Sequence, residues 1–337
     1  MFEVCCVGIL VADCLSQTVD RLPQKGKLSL IDSIRLYSGG CASNTAIDLS
    51  VLGAKTALVG MVGRDGFGAF LREELKKHSV NIGGLIETNR AGTSASVALI
   101  DSSGERSFLH YTGANAVFTK QDVNMEIVRQ SDIVFVAGSM LMPSFDGEPC
   151  AAFLKKCKEI GKTTVLDTAW DDTGKWNIAP CLPYLDYFIP SYDEAAAITG
   201  ESDVEKISDL FLEAGVSHVV IKTGKDGCFL KSCSKGQNNL PLQGLNLPAY
   251  ASVQAVDTTG AGDSFCAGFL YGLSHGMELI ECAKLGNAVG SFCVSACGAT
   301  TGIRPYNEVC RFIDSYKKDD NRKEVAKNET GSSIRSR

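Results

Sequence analysis

The chain has 337 residues, of which 45% are hydrophobic and 21% are charged. This composition is typical of a folded globular protein and excludes a collagen-like repeat, a coiled coil and a wholly disordered chain. The formal net charge of −6 provides no overall positive field that would attract nucleic acid or an anionic membrane surface. No apolar run reaches the roughly 18 residues that a membrane span requires. We therefore expect neither nucleic acid nor a membrane among the partners.

The fourteen cysteines are scattered along the chain, without the Cys-x2-Cys spacing of a zinc site. A chain of this length needs no disulfide framework. The apolar run at residues 4–12 has no basic leader and continues directly into Asp13, so it predicts a buried first strand rather than a secretion signal. We expect reduced thiols and a cytoplasmic protein.

Short apolar runs alternate with amphipathic stretches along most of the chain. The runs that predict strands buried on both faces are residues 4–9, 57–62, 133–136, 163–166, 187–189 and 219–221. The stretches with helical spacing are residues 67–78, 148–160, 193–199 and 204–214, and Gly161, Gly200 and Gly215 stand where three of these helices should end. This alternation predicts an α/β fold with a mainly parallel sheet.

Two stretches interrupt the alternation and predict antiparallel ribbons added to the sandwich. Residues 13–36 are polar, with Pro23 and Gly26, and residues 91–111 alternate polar and apolar side chains around a turn at 102–104. From residue 317 onward the chain is polar and lacks apolar anchors. We expect one domain over residues 1–316 and a disordered tail over residues 317–337.

The segment at residues 256–265, Val-Asp-Thr-Thr-Gly-Ala-Gly-Asp-Ser-Phe, precedes a run of helical spacing. Its glycines allow backbone N–H groups to converge at a helix start, which attracts phosphate through unpaired N–H groups and the helix dipole. Asp263 lies just inside that start, where a carboxylate could take a proton from a hydroxyl that attacks the phosphate. Taken alone, an Asp at this position is more often a helix cap or a turn residue than a base.

A second glycine-rich segment, residues 38–46, opens another helical run that stops at Gly53. The adjacent Gly39 and Gly40 allow a ligand to approach the main chain, and the amide of Asn44 offers both a donor and an acceptor, as a polyol requires. Taken alone, this segment could be a tight loop with a polar cap.

Together these residues resemble a known family. Gly39 and Gly40 with Asn44, Gly53, the Gly-Arg-Asp-Gly at 63–66 and above all the Asp-Thr-Thr-Gly-Ala-Gly-Asp at 257–263 resemble the ribokinase or pfkB family of carbohydrate kinases, over roughly residues 3–312. The resemblance implies a ribokinase-like three-layer α/β/α sandwich with a small β-sheet lid at about 13–36 and 91–111, ATP as phosphoryl donor and Mg²⁺ as cofactor.

The resemblance also implies roles for individual residues. It makes Asp263 the base that activates the sugar hydroxyl, with the backbone of Gly260, Ala261 and Gly262 as the anion hole. Asp13 matches a ligand of the sugar hydroxyls, in a pocket with Gly39, Gly40 and Asn44. The segment 221–227 resembles the nucleotide loop, which implies ATP-binding roles for Lys222, Gly224 and Gly227 and leaves Lys225 as either a phosphate neighbour or a solvated charge. Asn287 matches a position that flanks adenine.

The expected metal sites depart from the family pattern. Glu194 is retained for Mg²⁺ through water, but Ser191 replaces the usual Asn three residues before it. Asp257, Thr259 and Gly298 match a K⁺ site, whereas Gly302 replaces a common Ser. After the strand at 163–166, residues 167–170 lack the Asn and Arg of keto-acid sugar kinases, which argues against 2-keto-3-deoxygluconate as substrate.

We therefore expect a phosphotransferase that moves the γ-phosphoryl group of ATP to a primary hydroxyl of a small sugar such as ribose or fructose. A nucleoside kinase of the same superfamily and a non-catalytic sugar-binding protein are the alternatives. The chain has neither the Gly-x4-Gly-Lys-Ser/Thr loop of a P-loop NTPase nor a Gly-x-Gly-x-x-Gly after its first strand. The ribbon at 91–111 predicts a homodimer that forms through the lid.

Overall fold

The computed structural model describes residues 1–103, 105–233, 243–250 and 255–316. The expected tail at 317–337 lies outside the described residues. Within the described residues, no helix is long and apolar enough to cross a membrane. All fourteen cysteines are described, and none of them forms a disulfide bond.

The described strands, in chain order, are β1 (Phe2–Gly8), β2 (Val11–Gln17), β3 (Ser33–Gly39), β4 (Thr56–Gly63), β5 (Asn81–Thr88), β6 (Ala95–Ile100), β7 (Arg106–Tyr111), β8 (Ser131–Ser139), β9 (Thr163–Thr168), β10 (Tyr187–Phe188), β11 (His218–Lys222), β12 (Cys228–Ser232) and β13 (Leu245–Leu247). Nine of them form one sheet in the order β13-β12-β11-β10-β9-β8-β1-β4-β5. The pairings from β11 to β5 are parallel, and β12 and β13 join antiparallel. The prediction of a mainly parallel sheet is confirmed.

The described helices are α1 (Cys41–Leu52), α2 (Gly66–Lys77), α3 (Gly113–Val117), α4 (Met125–Arg129), α5 (Glu148–Glu159), α6 (Tyr192–Thr199), α7 (Val204–Glu213), α8 (Ala261–Ser274) and α9 (Leu279–Val294), with a further helical segment at 306–316. Short 3-10 turns lie at Lys120–Asp122, Leu182–Tyr184 and Gly224–Asp226. The predicted ends of α5, α6 and α7 are confirmed, because Gly161, Gly200 and Gly215 have φ of +75°, +70° and +108° just past these helices. Glycine is the residue that adopts such angles without steric cost.

The large sheet has a separate hydrophobic core on each face. Along β1, Val4 and Cys6 belong to the core that α1, α2, α8 and α9 cover, whereas Cys5 and Val7 belong to the core that α5, α6 and α7 cover. This alternation follows from the two-residue period of a strand, and it explains why residues 4–7 of β1 are all apolar. The three-layer α/β/α sandwich is confirmed.

The four remaining strands form a separate small sheet in the order β3-β2-β6-β7. The pairs β2–β3 and β6–β7 are the predicted antiparallel ribbons. A parallel pairing of β2 with β6, which the sequence did not indicate, joins the two ribbons into one sheet. The small sheet starts where β1 of the large sheet ends, so Asp13 on β2 lies at the carboxyl end of the parallel strands.

The chain order creates a crevice at this edge. From β1 the chain proceeds through β4 to β5 on one side, and it returns as β8 on the other side of β1. In open α/β sheets, ligands bind at the carboxyl ends of the strands where the strand order reverses in this way. The glycine-rich segments of the sequence meet at this crevice.

Candidate active site

The two glycine-rich segments meet where helices α1 and α8 pack together. The side-chain amide of Asn44 on α1 donates a hydrogen bond of 2.8 Å to Oδ2 of Asp263 on α8. The hydroxyl of Thr45 donates to the backbone carbonyl of Asp263 at 3.2 Å. Asn44 and Asp263 lie 219 positions apart in the chain. Two motifs that were ambiguous when taken singly therefore form one site.

The start of α8 depends on glycine. Gly260 precedes the helix with φ of +79°, and a Cβ at this position would lie 2.5 Å from Cβ of Ala299. Helix α8 then begins at Ala261 and carries Asp263 in its first turn. The predicted helix start is confirmed. The first N–H groups of a helix have no partner within the helix, and here the N–H of Ala261 donates to the carbonyl oxygen of Thr258 at 3.2 Å.

The environment of Asp263 makes this carboxylate more basic than an exposed one. Burial raises its pKa above the usual range, whereas the hydrogen bond from Asn44 and the positive charge of Lys222 lower it in part. A raised pKa favours proton uptake, and the two opposing contacts favour the ionised form of the carboxylate.

Asp13 lies against the first glycine pair. A Cβ at position 39 would overlap the carboxylate of Asp13, and a Cβ at position 40, where φ is +92°, would lie 2.6 Å from the carbonyl oxygen of Ile9. Only glycine fits either position without a shift of the backbone or of Asp13. Burial raises the pKa of Asp13 to about 6, a hydrogen bond with Ser96 lowers it, and the nearby charge of Asp263 raises it.

A cleft opens between the small sheet and the loop before α8, lined in part by Asp13, Ser38, Phe108, Asp257 and Gly298. Within the described part of the chain, Oγ of Ser38 and Oδ1 of Asn44 are buried without a hydrogen-bond partner. Buried polar atoms are nearly always paired in native proteins. These two atoms therefore suit a ligand that carries several hydroxyl groups.

Lys222 ends strand β11 and forms a buried ion pair that the sequence did not predict. Its Nζ lies 2.7 Å from both carboxylate oxygens of Asp167 on β9. A Cβ at Gly262 would lie 3.4 Å from the same Nζ. Lys222 is therefore next to the start of α8, whereas Lys225 is exposed. The sequence did contain one signal for this pair, because Asp167 and Lys222 carry opposite charges and each directly follows a predicted strand.

The other residues expected to bind nucleotide meet at β13. A Cβ at Gly227, where φ is +100°, would overlap the carbonyl oxygen of Leu247. The amide of Asn287 on α9 donates to the carbonyls of Leu247 and Pro248 at 3.0 and 3.1 Å. Gly224 has φ of +61° at the start of the 3-10 turn after β11. These contacts lie beyond β11 and not at the α1–α8 junction, and the nucleotide roles stay predictions.

Glu194 and Ser191 cap helix α6. Ser191 precedes α6, and its backbone N–H donates at 2.9 Å to Oε2 of Glu194, which also accepts from the hydroxyl of Thr168 at 3.0 Å. Within the described residues no group of three or more His, Cys, Asp or Glu side chains could hold a metal ion. The carboxylate of Glu194 lies close enough to influence the charges of Lys222 and Asp263, which suits a carboxylate near a Mg²⁺ ion that ATP phosphates and water would hold, and this role stays a prediction.

Asp257 is buried at the back of the cleft. Its Oδ1 accepts from the N–H of Thr259 and its Oδ2 from the N–H of Gly298, both at 2.9 Å. The carboxylate thereby orders the loop before α8 and the turn after α9 around one point. The three residues that the resemblance assigned to K⁺ are thus brought together, and their role as ion ligands stays a prediction.

Asp48 is a second buried carboxyl beside this site that the sequence analysis missed. It lies one helical turn after Asn44 on α1, and its Oδ2 accepts a 2.6 Å hydrogen bond from Ser264, the neighbour of Asp263. Its Oδ1 has no partner among the residues that the structure describes. Burial raises the pKa of Asp48 well above its usual range, the bond from Ser264 lowers it, and the charge of Asp263 raises it.

We expect Asp48→Asn to stabilise the protein more at pH 7.5 than at pH 4.5. An unfolded Asp ionises at about pH 3.9, whereas burial raises the pKa of Asp48 well above its usual range in the folded state, so the folded chain holds this proton to a higher pH. The unfolded chain therefore releases a proton that the folded chain retains, and the free energy of unfolding falls as the pH rises above about 4. Asparagine imitates the protonated acid and removes this penalty. Urea unfolding of both proteins at the two pH values measures the difference.

Asp65 serves as the control, because its pKa is lowered: burial raises it, but hydrogen bonds from Thr93 and Gly68 outweigh that effect. Both pH values lie above the pKa of Asp65 in the folded and in the unfolded chain, so Asp65→Asn should destabilise the protein by nearly the same amount at pH 7.5 and at pH 4.5. Equal effects of Asp48→Asn at both pH values would contradict a raised pKa of Asp48.

Comparison with known proteins agrees with this geometry. Fructokinase-2 of Oryza sativa subsp. japonica is 30% identical over 310 residues, which cover 85% of this chain and 88% of that protein. The ribokinase of Staphylococcus aureus (strain COL) is 28% identical over 301 residues, which cover 87% and 93%. The solved structure of Arabidopsis thaliana ribokinase complexed with ribose and ATP superimposes with a TM-score of 0.80 at 26% identity, and the match covers 92% of this chain and 98% of that one.

The family model described as pfkB family carbohydrate kinase matches residues 1–305. The match includes both glycine-rich segments, the small sheet and the whole of the large sheet. The chain therefore belongs to the pfkB family of carbohydrate kinases, phosphotransferases that act on a hydroxyl group.

Proposed function

We propose that this protein transfers the γ-phosphoryl group of ATP to a primary hydroxyl of a small sugar such as ribose or fructose. The observation that carries the proposal is the 2.8 Å hydrogen bond from Asn44 to Asp263. This bond joins a side chain suited to hydroxyl recognition to a buried carboxylate at the start of a helix. A sugar hydroxyl that reaches Asn44 is thereby brought to the base and to the phosphate site together.

Asp263 acts as the general base. Its carboxylate takes the proton of the sugar hydroxyl while the hydroxyl oxygen forms a bond to the γ-phosphorus and the bond from that phosphorus to the leaving oxygen of ADP breaks. The backbone N–H groups of Gly260, Ala261 and Gly262 form the anion hole that stabilises charge on the transferring group. Phosphoryl transfer needs little covalent chemistry from the protein, so positioning and charge stabilisation account for most of the catalysis.

The sugar binds in the cleft beside the small sheet. Asp13 accepts hydrogen bonds from two hydroxyls through its two carboxylate oxygens, and the backbone at Gly39 and Gly40 allows the sugar to approach closely. The buried and unpaired Oδ1 of Asn44 and Oγ of Ser38 supply further acceptors for hydroxyl donors. The names of the relatives, fructokinase and ribokinase, support a small sugar as the acceptor.

ATP binds along the carboxyl end of the sheet from the start of α8 toward β13. Lys222 lies at the phosphate end, and Gly224, Gly227 and Asn287 form the adenine end. Glu194 holds Mg²⁺ through water, and the ion neutralises charge on the ATP phosphates when it is bound. Asp257, Thr259 and Gly298 form a K⁺ site behind the anion hole. The related ribokinase structure with ribose and ATP supports ATP as the donor.

The test is ADP release by the purified protein with Mg-ATP and a panel of pentoses, hexoses, ketoses and nucleosides. We expect turnover with one sugar or a small group of sugars. Turnover with a nucleoside alone would identify a nucleoside kinase instead. Thermal stabilisation by a sugar without any turnover would identify a non-catalytic sugar-binding protein, and either result would overturn the proposal.

We propose further that the protein is a cytoplasmic homodimer that forms through the small sheet. The fourteen cysteines form no disulfide bond, which suits a reducing compartment. Strands β3 and β7 form the two edges of the small sheet, and Ile34, Phe108 and Leu109 on them are 68%, 58% and 67% exposed. Exposed apolar side chains along open strand edges favour association. A monomer in light scattering at micromolar concentration would contradict the dimer.

A further inference from the structure

A buried ion pair crosses the short strand β10, which contains only Tyr187 and Phe188. Lys222, at the end of β11, reaches over this strand to Asp167 on β9, and its Nζ lies 2.7 Å from both carboxylate oxygens. The side chains of Lys222 and Asp167 are 12% and 2% exposed. The proposed reaction assigns no role to Asp167.

Helix α8 lies directly against this ion pair. A Cβ at Gly262 would be 3.4 Å from Nζ of Lys222, which places the ammonium beside the backbone of the proposed anion hole. One helical turn later, Sγ of Cys266 donates to Oδ2 of Asp167 at 3.4 Å and lies 4.0 Å from Nζ. Asp167 therefore has one oxygen shared between the ammonium and a thiol of the catalytic helix.

The charges around Lys222 come from several elements. Asp167 on β9, Glu194 on α6 and Cys266 on α8 all influence its ammonium, and Lys222 in turn influences Asp263 on α8 and Cys41 on α1. Burial lowers the pKa of Lys222, but the charge of Asp167, the electrostatic effects of Cys266 and Glu194 and the hydrogen bond to Asp167 together raise it overall. The side chain is thus held as a cation in a place where water is largely excluded.

A contribution to the stability of the fold is by itself a weak explanation for the presence of this buried ion pair. The cost of removing two charges from water often equals or exceeds their attraction in the folded state, and apolar replacements of buried pairs are frequently neutral or stabilising. A fixed cation beside an anion hole, in contrast, stabilises negative charge that develops there without a reorganisation cost. The location of the pair favours this second explanation.

We propose that Asp167 is a positioning residue that holds the ammonium of Lys222 beside the backbone of Gly262, so that the ammonium contacts the transferring γ-phosphoryl group. This inference rests on the proposed function. With ATP bound, the oxygens of the γ-phosphoryl group become additional acceptors for the ammonium, and Asp167 fixes the direction of approach. Lys222 thus serves the γ-phosphoryl group specifically, because ADP has no group at that place.

The test compares Lys222→Met, Asp167→Asn and the double variant. We expect Lys222→Met to lower kcat about 100-fold, since a preorganised charge contact to the transition state is lost. Asp167→Asn should lower kcat about tenfold, because the ammonium is present but less well placed. In the Lys222→Met background, Asp167→Asn should change kcat less than twofold, because residues that act as one unit are not additive.

A binding measurement tests the same inference without turnover. In calorimetry without sugar, the wild type should bind Mg-ATP more tightly than Mg-ADP. In Lys222→Met the ratio of these two affinities should fall at least tenfold, because the affinity for Mg-ATP decreases while the affinity for Mg-ADP is retained. Lys222→Arg, which keeps the cation, should retain kcat within about tenfold of the wild type. If the sugar panel shows no turnover, the proposed function fails, and the loss or retention of the ATP preference still decides the role of Lys222.

Lys231→Met is the matched control. Lys231 lies on β12, the neighbour of β11, and its 8% exposed side chain forms a comparable ion pair with Glu205 and Asp209 at 3.1 and 2.7 Å. This variant should change kcat less than twofold. An unchanged kcat and ATP preference in folded Lys222→Met, or an equal fold-loss from Asp167→Asn in both backgrounds, would overturn the proposal.

Discussion

Asp263→Asn is expected to lower kcat by about 10²- to 10⁴-fold while the protein remains folded. The variant keeps the size of the side chain, and its amide oxygen can still accept the hydrogen bond that Asn44 donates at 2.8 Å. The amide cannot take the proton of a sugar hydroxyl, however, so the general base is removed and the geometry is retained. Initial rates at saturating ATP and sugar measure kcat, and circular dichroism with thermal unfolding verifies the fold.

The control for Asp263 is Asp193→Asn. Asp193 is also an acidic residue in the first turn of a helix, in this case α6, but its side chain is exposed. If Asp263 only stabilised the start of α8, both variants would lose at most about 1 kcal/mol of stability and would keep their activity. A folded Asp263→Asn variant with wild-type kcat would therefore contradict the role of Asp263 as base.

Asp13→Asn is expected to raise the KM for the sugar about 100-fold or more, with a smaller effect on the KM for ATP. Hydrogen bonds to a charged group contribute about 1.5–3 kcal/mol each, and the proposed site gives Asp13 two of them. Asparagine replaces one carboxylate oxygen with a donor and removes the charge. Steady-state rates with the sugar that the panel identifies, at saturating ATP, measure the change.

The pH profile provides a second measure of Asp13. Because burial raises its pKa to about 6, Asp13 gains a proton as the pH falls through 6, and its acceptor capacity falls. The wild-type KM for the sugar should therefore rise below pH 6, and this rise should be absent in Asp13→Asn. Asp20→Asn is the control, since Asp20 is an exposed carboxylate beside the small sheet that accepts from the N–H of Ser102. The same KM in wild type and Asp13→Asn would contradict Asp13 as a sugar ligand.

Most of the large sheet could be predicted from the sequence, for a physical reason. Strands covered by helices on both faces are apolar along their central positions, and residues 4–7 of β1, 57–62 of β4 and 133–138 of β8 have this property. Strand β5 was missed because Gly83 and Gly84 and its polar ends interrupt the apolar run. The parallel pairing of β2 with β6 was missed because no local pattern indicates which distant strand a ribbon joins.

The parts of the site that could be predicted are those for which one short segment of the sequence contains all the residues that indicate them. The glycines at 39, 40 and 260 occupy positions that exclude a side chain or require positive φ, and they mark both glycine-rich segments. Asp48 was missed because a single Asp in a helical run is usually exposed. In the structure Asp48 is buried because α8 packs against the face of α1 that carries it. In a helix at the surface of a protein, the corresponding face would be exposed to solvent.

The Asp167–Lys222 pair was missed for a different reason. The two residues lie 55 positions apart, and they meet because β10 between them is only two residues long. Charged residues at strand ends are usually solvated, so neither residue alone indicates a partner. Strand order and strand length, which the sequence does not specify locally, create this part of the site.

The central claim is transfer of the γ-phosphoryl group from ATP to a sugar hydroxyl with Asp263 as base. The most direct measurement is phosphorus NMR of Mg-ATP, the active sugar of the panel and the enzyme, with Asp263→Asn in parallel. We predict that the γ-phosphate signal is lost only when sugar is present, that a sugar phosphomonoester appears in equal amount with ADP, and that the variant forms neither at a comparable rate. Formation of inorganic phosphate in place of a sugar phosphate, or the same rate in the variant, would contradict the account.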